Sequence, residues 1–219
     1  MERQSASSAY LFPAMLRLER QICVVVGAGR IAAAKIEGFL RHGARVVVVS
    51  PRALKRIRDL ARAGRLVWRR RKFSPKDVQG ALLVVAATDS SLVNETVFHA
   101  CGARRILCNV VDDPEHCGFF YPAVVHRGPL HIAISTNGRS PALASRLRRE
   151  LQRQFVPEWS AWVEHVGRMR RELLRAKMPA QARRRHLLQI VAPKAFRAFL
   201  QERKRTSAGA ESAKRLRHN

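Results

Sequence analysis

The chain has 219 residues, 47% of them hydrophobic, with 42 Lys and Arg against 16 Asp and Glu, which gives a formal net charge of +26. This length and apolar content predict a folded protein with a proper core and exclude a disordered chain. No apolar run is long enough to span a bilayer and the N-terminus lacks a signal peptide's apolar core, so a cytoplasmic protein without a membrane segment is expected. The charge admits nucleic acid, a membrane surface or an acidic small molecule as partners, and composition does not choose among them.

The stretch 22–35 has the pattern of a strand, a tight turn and a helix. Its glycines fit the dinucleotide fingerprint G-x-G-x-x-G/A, in which Gly27 permits the turn, Gly29 lets a pyrophosphate approach the backbone, and Ala32 keeps helix and strand close. The first N–H groups of the helix would face an anion. An ordinary strand–helix turn with small residues for packing is the alternative. The predicted cofactor contacts here are Gly27, Gly29, Arg30 and Ile31.

The following residues alternate between strand and helix patterns. Further strands are predicted at 45–50, 66–68, 81–87 and 105–111, with helices at 53–63 and 92–103. Such alternation with short connections predicts an α/β fold with a Rossmann-type, doubly wound parallel sheet. Because ligands of open α/β sheets bind outside the carboxyl ends of the strands, Thr88 is expected to contact a cofactor.

The second strand ends in Ser50, Pro51 and Arg52, where an NAD enzyme often has an acid for the ribose hydroxyls. Serine and arginine suit a 2′-phosphate instead, so this position by itself favours NADP slightly. The basic residues 69–72 that follow the third strand are interpreted as a solvated loop rather than a binding patch.

The fifth strand runs into Asp112, Asp113 and Pro114. An Asp before Pro is common turn chemistry, which suits Asp113 and leaves Asp112 available. A carboxylate at the carboxyl end of a strand, near the expected nicotinamide, is a candidate for handling a proton. A role in the turn alone is the alternative.

The pattern changes after the fifth strand. Residues 119–125 and 130–135 predict an antiparallel strand pair, and Ser140 and Pro141 suit the N-cap and first position of a helix whose anion-attracting end lies beside Arg139. A helical pattern extends from 143 to about 199. The predicted parts are a nucleotide-binding domain at 1–113, a small β segment at 114–145, a helical domain at 146–203 and a basic, disordered tail at 204–219.

Three further sequence motifs indicate a family. They are A-A-T-D from Ala86 with Asn94 after it, N-V-V-D-D-P from Asn109, and I-S-T-N-G-R-S-P-A from Ile134. Together with the fingerprint they resemble precorrin-2 dehydrogenase, the N-terminal half of bacterial sirohaem synthase and its stand-alone relatives. The resemblance runs from about Tyr10 to Leu151, and no second nucleotide-type domain is predicted after Leu151.

This resemblance implies NAD-dependent oxidation of precorrin-2 to sirohydrochlorin in sirohaem biosynthesis. It also implies a homodimer that exchanges its middle β segment, and it places the catalytic acid at Asp112. Some members of the family also insert ferrous iron into the product. Asp112 is the possible iron ligand in this chain, and His116 and Cys117 are weaker candidates. The cofactor contacts implied are Gly27, Gly29, Arg30, Ile31, Pro51, Arg52, Thr88, Asn109 and Val110. The substrate contacts implied are Thr136, Asn137, Gly138, Arg139 and Ser140.

The substrate chemistry agrees with this assignment, because precorrin-2 carries acetate and propionate carboxylates that a cationic site would bind. On the cofactor, the resemblance favours NAD over the NADP suggested by the end of the second strand. One competing class is a basic Rossmann-like protein that binds nucleic acid, although the basic residues are spread along the chain and aromatic residues are only 6% of it. Another is an NAD(P) reductase of a different small acid.

Overall fold

The structure is a computed structural model that describes residues 11–216. The chain divides into two compact units, one up to Tyr121 and one from Pro122. The sequence prediction of four parts, with bounds at 113, 145 and 203, stays a prediction. No helix within the described residues is both long and apolar enough to cross a membrane.

The first unit is a five-stranded sheet with the strand order β3-β2-β1-β4-β5, and every neighbouring pair is parallel. From β1 the chain adds β2 and β3 on one side of the sheet and then β4 and β5 on the other side. The strand order therefore reverses beside β1, and the predicted doubly wound Rossmann fold is confirmed. Its elements are β1 Ile22–Val26, α1 Arg30–Arg41, β2 Arg45–Val49, α2 Lys55–Arg62, β3 Val67–Arg69, β4 Leu83–Ala86, α3 Ser91–Gly102 and β5 Leu107–Val110.

Both faces of this sheet are buried. Val25 packs with Ile36 of α1 in one apolar cluster, whereas its neighbour Val24 packs with Val97 of α3 in the other. Successive side chains of a strand point to opposite faces, so a strand covered on both sides must be apolar throughout. This requirement explains the unbroken apolar run of β1.

A buried carboxylate holds the loop between β3 and β4. Asp77 lies in a short 3₁₀ turn, Pro75–Val78, and its side chain is 1% exposed. It accepts hydrogen bonds from Arg69 at 2.6 Å, from Arg71 at 2.6 and 2.7 Å, and from the Ser74 N–H at 2.9 Å. Two arginines of the stretch interpreted as a solvated loop therefore have a structural partner. A basic run gives no signal for such a partner when the acid lies several residues away.

Replacing Asp77 with Ala is expected to lower the free energy of unfolding by about 2–3 kcal/mol, because it leaves both guanidinium groups without their buried acceptor. Burial alone would raise the pKa of Asp77, but the hydrogen bonds from Arg71, Ser74 and Arg69 lower it from 3.8 to about 2. The stabilisation of about 2 kcal/mol that corresponds to this difference is present above pH 3.8 and is lost as the pH falls through about 2. Urea unfolding of both proteins as a function of pH measures this effect. A constant difference between pH 7 and pH 2 would contradict it.

The second unit begins with an antiparallel hairpin of β6 Ala123–Arg127 and β7 Leu130–Ile134. The strand predicted from 119 therefore starts later and continues into the predicted turn. The residues before it belong with β5, because the Gly118 N–H donates to Cys108 O at 2.7 Å and Asn109 Nδ2 donates to Phe119 O at 3.0 Å. Helices α4 Pro141–Gln154, α5 Trp159–Arg175, α6 Ala180–Ile190 and α7 Pro193–Leu216 follow.

Aromatic side chains join α5 to α7. Trp159 packs on Phe196 with ring centres 4.5 Å apart, and the buried Trp162 packs on Phe199 at 5.1 Å. Helix α7 runs on to Leu216, so the segment predicted as a disordered tail is helical as far as that residue, and 217–219 lie outside the described residues. The tail has no proline and contains several alanines, which favour continuation of a helix over its charged composition.

Candidate functional site

A cleft of about 900 Å³ lies at the carboxyl ends of β1, β2 and β4, where an open α/β sheet binds its ligand. Its walls are mainly apolar, as is usual for cofactor sites. The predicted cofactor contacts that line it are Gly27, Gly29, Pro51, Arg52 and Thr88. Arg30 and Ile31 are exposed and are the first two residues of α1.

Gly27 makes the sharp turn that opens the cleft. Its φ is +106°, and its N–H donates to Val49 O at 3.0 Å. A Cβ at this position would overlap the carbonyl oxygen of Ala87 and lie 2.7 Å from its carbonyl carbon. No residue other than glycine fits both the conformation and the space.

Gly29 has the open geometry that the fingerprint requires of its second glycine. It is the N-cap of α1 with an ordinary φ of −82°, no side chain caps the helix, and the first turn has no acid. A Cβ on Gly29 would meet no protein atom within 4 Å, so the space beside it is open. Unpaired N–H groups facing an open cradle fit a pyrophosphate.

Thr88 follows β4 and is fixed by a reciprocal pair of hydrogen bonds with Asn94. Its Oγ1 donates to Asn94 Oδ1 at 2.7 Å, and Asn94 Nδ2 donates to Thr88 O at 3.0 Å. Ser90 caps α3 in the same turn, since its Oγ accepts from the Val93 N–H. The A-A-T-D phrase and its Asn therefore shape one wall of the cleft.

Asn109 and Val110, also predicted to contact the cofactor, do not line this cleft. Asn109 is 8% exposed, and its Nδ2 donates to Phe119 O and to Cys117 Sγ at 3.2 Å. This amide connects β5 to the segment that follows it. A strand-end asparagine gives no sequence signal that separates such a role from a cofactor contact.

Asp112, the predicted catalytic acid, is exposed just beyond β5 and has a φ of +60°. Such a conformation is uncommon outside glycine, and Asp is among the residues that tolerate it. Two residues that sequence reasoning missed lie in this region. Lys35 Nζ lies 3.5 Å from the centre of the Tyr121 ring. Burial lowers the pKa of Lys35, and the negative charge of Asp112 opposes this shift, so α1 brings a cation close to the acid.

The neighbouring polar residues are bonded locally. His116 Nδ1 lies 2.6 Å from Asp113 Oδ2, and the His116 ring packs edge-on against Phe98. Cys117 Sγ donates to Val110 O at 3.2 Å. Within residues 11–216 no group of three or more His, Cys, Asp and Glu side chains could hold a metal ion. Iron at Asp112 therefore has no supporting donor set and stays a prediction.

The predicted substrate residues form a compact loop of the second unit, between β7 and α4. Thr136 accepts the Ser140 N–H on its Oγ1 and the Arg139 N–H on its carbonyl oxygen, both at 3.0 Å. Asn137 and Gly138 have φ values of +57° and +78°, which turn the chain into α4. Ser140 is the N-cap as predicted, because its Oγ accepts from Leu143 N–H at 3.2 Å.

Two family models match this chain. The model described as "Putative NAD(P)-binding" matches residues 14–123, and the model "Sirohaem biosynthesis protein central" matches residues 127–154. The siroheme synthase of Neisseria meningitidis is 32% identical over 208 residues, which are 95% of this chain and 43% of that protein. The siroheme synthase of Photorhabdus laumondii is 35% identical over 79% of this chain and 37% of its own length. The chain thus spans about two fifths of these relatives.

A solved structure named SirC, precorrin-2 dehydrogenase, superimposes with a TM-score of 0.72 and 27% identity, covering 89% of this chain and all of that one. The predicted NAD-type cofactor agrees with these matches, and neither the nucleic-acid-binding class nor the reductase of another acid is favoured by them. The chain therefore belongs to the NAD(P)-binding family of sirohaem-biosynthesis proteins that includes precorrin-2 dehydrogenase.

Proposed function

We propose that this chain oxidises precorrin-2 to sirohydrochlorin with NAD as the oxidant. The observation that carries the proposal is the match over the full length of a solved precorrin-2 dehydrogenase, joined to a cleft whose two glycines have the geometry of a dinucleotide site. The oxidation removes two electrons and two hydrogens from the substrate, one as hydride and one as a proton.

The chain's own groups divide the work between binding and proton transfer. The dinucleotide, when bound, supplies the acceptor for the hydride. The backbone at Gly29 and the first N–H groups of α1 bind its pyrophosphate. Asp112 accepts the departing proton, as its place after β5 suggests. Burial lowers the pKa of Lys35 and the negative charge of Asp112 partly offsets this, so the lysine places a positive charge near the carboxylate.

The loop from Thr136 to Ser140 is proposed to bind the carboxylates of the substrate. Arg139 is exposed and stands at the start of α4, a helix without an acid in its first turn. A guanidinium and a helix N-terminus both favour carboxylates. The same chemistry suits the several acetate and propionate groups of precorrin-2.

We also propose that the protein is a homodimer and that it is located in the cytoplasm. The two-stranded sheet of β6 and β7 has no further strand on either side within the described residues. Open strand edges pair readily with another chain. The four cysteines are free thiols, which is the usual state in a reducing compartment. Within the described residues no cluster of three or more His, Cys, Asp and Glu side chains could hold a metal ion, so the proposal does not include ferrous iron insertion.

The test is to mix the purified protein with precorrin-2 and NAD and to record the absorption of sirohydrochlorin and of NADH together. We expect the two products to appear in equal amounts and only when both substrates are present. Formation of neither product would overturn the proposal, and so would NADH without sirohydrochlorin. Retention of random DNA by the protein, weakened by salt but not by NAD, would favour the nucleic-acid-binding class instead.

A further inference from the structure

Asn94 lies in the first turn of α3, beside the cleft but outside its lining. Its neighbours Val93 and Thr96 line the cleft, whereas the half-buried side chain of Asn94 reaches the residue that follows the end of β4. There it makes three hydrogen bonds with one residue, Thr88. An amide bonded three times to a single residue fixes both the backbone and the side chain of that residue.

The three bonds use both ends of the Asn94 amide. Oδ1 accepts from the Thr88 hydroxyl at 2.7 Å and from the Thr88 N–H at 3.3 Å, and Nδ2 donates to the Thr88 carbonyl oxygen at 3.0 Å. An amide turned over by about 180° would place its NH₂ group against the Thr88 N–H, so only one orientation satisfies all three bonds. The peptide groups on both sides of the Thr88 Cα are therefore held in place.

The bond to the Thr88 N–H also fixes the carbonyl group of Ala87. These two groups belong to one planar peptide unit and point in opposite directions. The Ala87 carbonyl oxygen faces Gly27 so closely that a Cβ on that glycine would overlap it. Asn94 thus holds, from the other side, the peptide unit against which the fingerprint turn packs.

The polar groups of Thr88 already have partners within the chain. Its hydroxyl has one proton, for which Asn94 Oδ1 at 2.7 Å and Ser90 O at 3.1 Å are the acceptors, and its Oγ1 accepts from the Ser90 N–H at 3.3 Å. Its N–H and carbonyl oxygen are both bonded to Asn94. Thr88 lines the cleft, so its contribution there is the shape of the wall.

We infer that Asn94 is a positioning residue for the dinucleotide: it holds the Ala87–Thr88 peptide unit against the Gly27 turn and so keeps the cleft in its binding shape. This role rests on the proposed function, because it takes the cleft to be the NAD site. A site that is ordered before the ligand arrives avoids the cost of ordering it on binding. Loss of the three bonds lets the peptide unit rotate, so the affinity falls although no contact with the ligand is removed.

The test is calorimetric titration of the full chain with NAD. We expect Asn94→Ala to raise the dissociation constant about tenfold, because only a fraction of the protein then has the binding-competent wall. Alanine is the best helix former and suits α3. Asn94→Leu has a similar shape to asparagine and makes none of the bonds, so it should show the same loss and replaces the alanine variant if that one fails to fold. Glu95→Ala is the matched control, since Glu95 is the next residue of α3, is exposed and does not line the cleft.

A double-mutant cycle separates action through Thr88 from a general effect on the fold. Thr88→Val keeps the shape of the side chain and loses the hydroxyl. Two variants that break one interaction are not additive, so Thr88→Val/Asn94→Ala should bind NAD about as weakly as Asn94→Ala alone. In turnover, Asn94→Ala should raise the KM for NAD by about the same tenfold and leave kcat at saturating NAD within about twofold, since Asn94 lies outside the lining of the cleft.

The outcomes distinguish this role from the proposed function. If Asn94→Ala and Asn94→Leu bind NAD as tightly as the unmodified chain, the positioning role is wrong and the proposed function stands. If the effects of the Thr88 and Asn94 variants add, or if Glu95→Ala loses as much affinity, Asn94 does not act through Thr88 and the role is overturned. If the unmodified chain does not bind NAD, the proposed function fails together with it.

Discussion

Replacing Asp112 with asparagine is expected to lower kcat by about 10³-fold, because the variant keeps the shape of the side chain and loses the group that accepts the proton. Asparagine is the informative substitution here. Asp112 has a φ of +60°, and Asn tolerates this conformation as well as Asp does, whereas alanine would add backbone strain to the loss of the carboxylate. Stopped-flow measurement of NADH formation with precorrin-2 gives kcat, and calorimetric titration gives the dinucleotide affinity. That affinity should be unchanged, since Asp112 does not line the cleft.

Asp113→Asn provides the matched control for this variant. The two carboxylates are adjacent, but Asp113 is held 2.6 Å from His116 Nδ1 and stands at the start of the 3₁₀ turn that follows β5. Its replacement should therefore change stability modestly and leave most of the turnover. If Asp112→Asn retained full turnover, or if Asp113→Asn lost as much, the proton would be handled by another group and Asp112 would have a structural role only.

The sheet could be predicted from the sequence because its strands must be apolar on both faces. Continuous β-branched runs such as Val24–Val26 and Val46–Val49, separated by glycines and a helix pattern, are typical of strands in the interior of a parallel sheet. The hairpin was predicted less well. A bond from Asn109 to Phe119 draws the first residues of the predicted strand toward β5, and no periodicity within that segment reports a contact to a residue ten positions earlier.

The candidate site divides in the same way. Gly27 and Gly29 could be predicted because the tight turn and the close approach of a phosphate both require glycine, and the two glycines stand at a fixed spacing in the sequence. Lys35 was not, although it lies one helical turn beyond Ile31, because a lysine on a helix is usually a solvated cation. Its burial against Tyr121 depends on a residue far along the chain.

Replacing the two fingerprint glycines with alanine should affect different properties, the free energy of unfolding for Gly27 and the dinucleotide affinity for Gly29. Gly27→Ala is expected to lower the free energy of unfolding by roughly 3–5 kcal/mol, because its Cβ would overlap the Ala87 carbonyl group and its φ of +106° is strained for any side chain. Gly29→Ala should leave that free energy nearly unchanged, since its φ of −82° suits alanine and its Cβ meets no protein atom.

The loss of dinucleotide affinity is expected from Gly29→Ala, the variant that keeps its stability. The new methyl group of Gly29→Ala would stand in the open cradle, so NAD binding should weaken on the order of 30-fold, equivalent to about 2 kcal/mol. Urea unfolding and calorimetric titration of the same two variants measure both quantities. Because each variant is the control for the other, a Gly29→Ala protein that is stable and binds NAD normally would show that no phosphate approaches this turn.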